Sequence, residues 1–137
     1  MMVGFGPRKS KIGQYITYGS FLPQKVFEFL DNPEHESHRS IQIGNDSYRV
    51  KLNSVRYKVF RRSLTCVKCG ILGKKFLLQR DKCELVGSAH FNLYAVENGK
   101  DVLMTKHHIV PSSKGGSDVL DNFQTMCATC NKKEDKK

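Results

Sequence analysis

The sequence predicts an α+β chain: a basic N-terminal extension carrying a short helix and a β-hairpin, then a core stapled by four cysteines. Three observations lead there. Two Cys-x-x-Cys pairs, Cys66/Cys69 and Cys127/Cys130, stand far apart in the chain. Two stretches of alternating apolar and polar residues each surround a turn-forming Asn. Two further segments place apolar residues at helical spacing behind an N-terminal helix signal.

Met1–Ser20, rich in Gly, Lys, Ser and Tyr and without a period, reads as a basic arm. Pro23–Leu30 reads as a short helix with Pro in its first turn, stopping at Asp31-Asn32-Pro33 because a residue before Pro avoids helical geometry. Ile41 and Ile43, then Tyr48 and Val50, alternate with polar residues around Gly44-Asn45-Asp46 and predict a hairpin. Asn53 or Ser54 caps a helix through Arg62, with Leu52, Val55, Val59 and Phe60 on one side and Arg56, Lys58, Arg61 and Arg62 on the other. Such a charged side is ordinarily just solvated; its single sign makes phosphate contact the second reading. Phe91–Val96 and Val102–Thr105 flank Glu97-Asn98-Gly99-Lys100, where Asn-Gly is a strong hairpin signal, and the second strand runs directly into His107-His108. A Gly-containing polar loop, Ser112–Ser117, follows, and the chain ends in a short basic helix. Domain boundaries are expected at 1–52 for the extension and 53–137 for the stapled core, with its motif at 91–134.

Composition narrows the function. The chain has 137 residues, a net charge of +10 and only 39% hydrophobic residues. A thin core of that size leans on a metal or a disulfide. The basic balance favours a polyanion, since Lys and Arg release counterions from phosphates; ribosomal, membrane-surface and heparin-binding proteins share that balance. No apolar run spans a bilayer, and Met1–Pro7 is glycine-rich and unlike a leader, so a soluble, cytoplasmic protein without a membrane partner is expected. In a reducing compartment, paired Cys-x-x-Cys motifs favour metal over disulfide. Four thiolates from two tight turns make a tetrahedral set suited to structural zinc, the alternative being two vicinal disulfide-like pairs. Cys83 is expected to be an ordinary thiol packed on a strand.

The C-terminal segment resembles the HNH endonuclease family, of ββα-metal fold, in a four-cysteine subgroup similar to small bacteriophage proteins. The resemblance is carried by His107-His108-Ile109-Val110-Pro111, Lys114-Gly115-Gly116, Asp121-Asn122 and Cys127-x-x-Cys130-Asn131. It implies a metal-dependent endonuclease acting on DNA phosphodiesters. By that resemblance His108 is the general base, His107 and Asn131 hold the catalytic ion, and the amide of Asn122 pins the loop between strand and helix. The ion expected is Mg²⁺ or Mn²⁺, with Ni²⁺ or Co²⁺ as further candidates because imidazole is a ligand. The sequence departs from the common pattern at His107, where a carboxylate is frequent, and at Asn131, a weaker ligand than His. Lys106, Ser112, Lys114, Lys132, Lys133, Lys136 and Lys137 surround the motif and are candidates for holding the DNA backbone, contacts that position without specifying sequence. One such unit nicks; a double-strand break needs a homodimer or a second event, and a phage or host DNA-processing partner is a further candidate. The competing reading is a zinc-stabilised nucleic-acid-binding protein without catalysis.

Overall fold

A computed structural model describes residues 14–31, 37–83 and 87–135. Its element order is β1 (Tyr15–Phe21), α1 (Pro23–Asp31), β2 (His38–Ile43), β3 (Asp46–Lys51), α2 (Val55–Arg62), β4 (Lys75–Asp81), β5 (His90–Glu97), β6 (Lys100–His108), β7 (Phe123–Cys127) and α3 (Ala128–Asp135). Short 3₁₀ turns occupy Ser112–Lys114 and Leu120–Asn122. The protein is α+β, with antiparallel sheets.

Five strands form the main sheet in the order β1-β4-β5-β6-β7, and β2-β3 is a separate ribbon. Asn98 and Gly99 both take positive φ, 52° and 75°, which lets a two-residue turn follow the twist of β5 and β6. Alternation then assigns the faces. One face carries Phe76, Leu78, Phe91, Leu93 and Met104, all buried. Onto it pack α1 and α2: the rings of Phe27 and Phe60 lie 5.9 and 6.2 Å from that of Phe76. Ser54 caps α2 through the Arg56 amide, and Tyr57, Val59 and Phe60 on α2 are buried. The other face carries a polar ladder. Gln79 Oε1 accepts from Asn92 Nδ2 and the Tyr94 hydroxyl, each at 2.8 Å, while Gln79 Nε2 donates to Thr17 Oγ1 at 2.9 Å. Burial behind this ladder pushes the Tyr94 phenol up to about 12. Every buried polar end there has a partner, so the ladder fixes register at little cost.

Two expectations change. Tyr15–Phe21, within and just beyond the stretch expected to be a basic arm, is an edge strand ordered against β4, pairing from Tyr15↔Asp81 to Phe21↔Phe76. Its Tyr15, Ile16, Tyr18 and Phe21 gain a neighbouring strand and a core, and neither is visible in local composition. Val26, Ile41, Val50 and Leu52 share one apolar cluster with Phe76, Met104 and Met126. Cys83, expected on a strand, is exposed in the turn after β4, where its amide donates to Asp81 Oδ1 at 2.8 Å. Residues 1–13 of the expected arm, His35 and Lys136–Lys137 lie outside the described residues.

Candidate metal centre and active site

The two Cys-x-x-Cys turns meet at one end of the sheet. Cys127 closes β7 and Cys130 opens α3; Cys66 and Cys69 sit in a turn closed by Gly70 N–H donating to the Cys66 carbonyl at 3.0 Å. Val67 N–H reaches the Thr125 carbonyl at 3.0 Å, which docks that turn onto β7. All four sulfurs lie within 4.8 Å of one another, and Cys69 Sγ is 3.8 Å from Cys127 Sγ. Tetrahedral zinc at about 2.3 Å from each sulfur requires sulfurs about 3.8 Å apart. The set can therefore hold a metal such as zinc. Its electrostatics ask for one. Burial opposes ionisation of Cys66, yet amide hydrogens of Cys69, Cys127 and Lys68 bring that thiol down to about 6. Burial raises the Cys127 thiol and, with the neighbouring sulfurs, pushes Cys130 up to about 12. A divalent cation offsets the burial and, after it, the neighbouring sulfurs that oppose ionisation of these last two.

Beside the cysteines, β6 ends in the two histidines. Because successive residues on a strand face opposite ways, His107 and His108 lie on different faces. His108 shares its face with Lys106 and Phe123: its ring is 4.6 Å from that of Phe123, and Lys106 Nζ is 4.4 Å above the same ring. His108 Nε2 is 2.8 Å from Asp118 Oδ1. An ionised carboxylate can only accept, so a proton sits on Nε2, and in the neutral imidazole it is Nδ1 that carries the lone pair.

His107 shares its face with Thr105 and Gln124. Its Nδ1 takes a long contact, 3.4 Å, from Gln124 Nε2. Ligation through Nε2 requires the Gln124 amide to turn over and accept the Nδ1 proton. Asn131 reaches the same face from the first turn of α3, its Nδ2 donating to Thr105 Oγ1 at 2.9 Å. The Thr105 hydroxyl spends its one proton on the Met126 carbonyl, 2.7 Å away. It can then only accept from Asn131, which fixes the amide with nitrogen on Thr105 and leaves Oδ1 available.

The loop between β6 and β7 is tied by Asn122. Its Oδ1 accepts from Val110 N–H at 2.9 Å, and its Nδ2 donates to the Val110 and Ser117 carbonyls at 3.1 and 2.7 Å. Within that loop Gly116 N–H meets the Pro111 carbonyl so closely that a Cβ at Gly116 would collide with the Val110 carbonyl oxygen. Of the Gly-Gly pair, Gly116 is thus required by backbone contact, and Gly115 by its left-handed φ of 88°. Arg62 pairs with Asp121 at 2.8 Å and fastens α2 to the same loop, while Arg61 pairs with Asp31 at 2.6 Å. Of the four cations on that side of α2, these two face acids.

Residues 96–137 match the model of the HNH endonuclease family. This segment resembles HNH domains. No curated protein and no solved structure matches the chain. The HNH domain implies a nuclease with a nucleic-acid substrate, and it contains Lys106, His107, His108, Lys114, Asn122, Cys127, Cys130, Asn131, Lys132 and Lys133. Cys66 and Cys69 lie outside it. Asp118, Thr105 and Gln124, which orient the two histidines and Asn131, carry no spacing signal in the sequence. A carboxylate in the Gly loop after the histidine pair is the only clue to Asp118.

Proposed function

We propose that the protein is a divalent-metal-dependent endonuclease that hydrolyses DNA phosphodiesters, with the core 53–137 as its catalytic unit. The observation that carries this reading is His108 held at a strand end by Asp118, with Nδ1 free, inside the HNH domain. His108 Nδ1 takes a proton from water as that water attacks phosphorus in line. Asp118 steadies the imidazolium that forms, and Phe123 holds the ring in place. Asn131 Oδ1 and His107 would hold a divalent ion, Mg²⁺ or Mn²⁺, which would supply Lewis-acid charge at the scissile phosphate. These two ligands are neutral, so the donor set suits an ion that substrate phosphate helps to hold. Histidines on opposite faces address one phosphate only at the end of a strand, which is where both stand. Products carry 5′-phosphate and 3′-hydroxyl ends, and one centre nicks a single strand. Zinc on Cys66, Cys69, Cys127 and Cys130 fixes the start of α3 and with it Asn131. Lys106, Lys114, Lys132 and Lys133 hold the flanking backbone.

Nicking of supercoiled plasmid tests the reading. With added Mg²⁺ or Mn²⁺ the protein converts plasmid to open circles, and His108→Ala lowers the rate by roughly 10²–10⁴-fold, the usual contribution of a general base. Near-full nicking by His108→Ala removes His108 as the base. Binding without nicking under any divalent ion leaves the nucleic-acid-binding protein as the better account.

A further inference from the structure

The outward face of the β2-β3 ribbon is cationic and belongs to no part of the HNH domain. Ile41 and Val50 turn into the core, so the residues alternating with them turn out: His38 opposite Lys51, and Ser40 opposite Arg49, while Arg39, opposite Val50, leaves from the other face and reaches the Phe29 ring. Ser37, His38, Arg39, Ser40 and Arg49 line a shallow polar cavity of about 220 Å³. Among the described residues no carboxylate lies within ion-pair distance of Arg39, Arg49, Lys51 or Arg56. The Arg39 guanidinium is stacked 5.5 Å over the Phe29 ring, which fixes its plane and leaves its N–H groups for a ligand.

The ribbon is fastened to the catalytic sheet. Ala89 N–H donates to the Arg49 carbonyl at 2.8 Å, and Lys51 N–H donates to the Ala89 carbonyl at 3.0 Å. Ala89 precedes β5, and β5 runs antiparallel to β6. The start of β5 and the end of β6, with His107 and His108, therefore share one end of the sheet. The field there is positive: burial first, then Arg56, Lys51 and His38, hold the His90 imidazole down to about 4.

We propose that this cavity is a second phosphate-binding site, in which Arg49 from the outward face and Arg39 from the opposite face, both lining it, grip the nucleic-acid backbone away from the bond to be cut, with His38 beside them. The choice of a phosphodiester backbone as ligand rests on the nuclease reading; the site itself rests on the unpaired cations and their cavity. An anionic ligand satisfies guanidinium groups that no described acid satisfies, and a bidentate fit to phosphate is what a stacked Arg offers.

Binding can be measured without cutting. Zinc-loaded, full-length His108→Ala protein, with no other divalent ion, is titrated against a fluorescein-labelled duplex at several salt concentrations and followed by anisotropy. Adding Arg39→Gln and Arg49→Gln should raise Kd about tenfold or more and flatten the slope of log K against log salt by about 2, near 0.9 for each phosphate no longer neutralised. Ser40→Glu, an exposed change that leaves both arginines in place, should weaken binding in the same direction, while Lys100→Gln in the distant β5-β6 turn should not. Unchanged affinity and slope in both the double variant and Ser40→Glu overturn the proposal. Failure of the nuclease reading shows up separately, in the plasmid assay.

Discussion

At the scale of single residues, Thr105 does work its neighbours are credited with. Its hydroxyl donates to Met126 and so must accept from Asn131, which leaves the amide oxygen available for the ion proposed above. Replacing it by Val keeps the shape and removes both bonds. Asn131 then loses the partner that holds its amide, and groups that orient a ligand are typically worth 10–100-fold in metal affinity. Thr105→Val should accordingly raise the Mn²⁺ concentration for half-maximal nicking by roughly tenfold or more, with zinc content unchanged. An unshifted metal requirement would separate Asn131 from the ion. The same reasoning shows what a sequence can and cannot carry at this scale. His107, His108, Asn122 and Asn131 stand in a spaced pattern and can be read directly. Thr105, Gln124 and Asp118 act through contacts across a strand or a loop, and no local spacing marks them.

Elements are legible where a turn or cap signal lies next to a period. Pro23 begins α1, Ser54 caps α2, Gly44-Asn45 turns β2 into β3, and Asn98-Gly99 turns β5 into β6. The strands without such signals are not. β4 lies in a Lys-rich apolar run, β7 is five residues long, and β1 hides in a stretch that reads as an arm; each is made by its partner strands rather than by its own pattern. The β6-β7 loop is held tightly. Asn122 ties it at three points, and Gly116 admits no side chain because the Val110 carbonyl fills the space. Gly116→Ala must push that backbone aside and shift Asp118 with it. Since a displacement of about 1 Å can cost about 10²-fold in rate, nicking should fall by about that factor while the melting temperature moves only modestly. A variant that cuts normally would show that the loop does not set the position of His108.

For the whole molecule, the four cysteines join parts that the chain keeps apart. Cys66 and Cys69 follow α2; Cys127 and Cys130 bracket the β7-α3 junction; and β4, β5 and β6 lie between them. A metal there closes that entire segment, and its binding free energy enters the stability of the fold. Cys127→Ser should release zinc, lower the melting temperature sharply and abolish nicking together. Thermal melts and metal analysis of the purified variant check this; full zinc occupancy with an unchanged melt would mean that the cysteines do not staple the core. The cluster itself is legible from two Cys-x-x-Cys pairs. The polar ladder Thr17-Gln79-Asn92-Tyr94, which ties β1 to the same sheet, is not, because its members are scattered and chemically ordinary.

That straddling arrangement bears on how the HNH-like segment can be moved between proteins. The HNH match begins at residue 96, inside β5, and includes two of the four sulfurs. Excised as a cassette, residues 96–137 would carry the histidines and asparagines with half a metal site and a severed strand. Anyone grafting this segment onto a targeting module would therefore have to transplant the cysteine turn at Cys66–Cys69 and the strands that bridge to it. The motif is compact in its spelling but not in its scaffold.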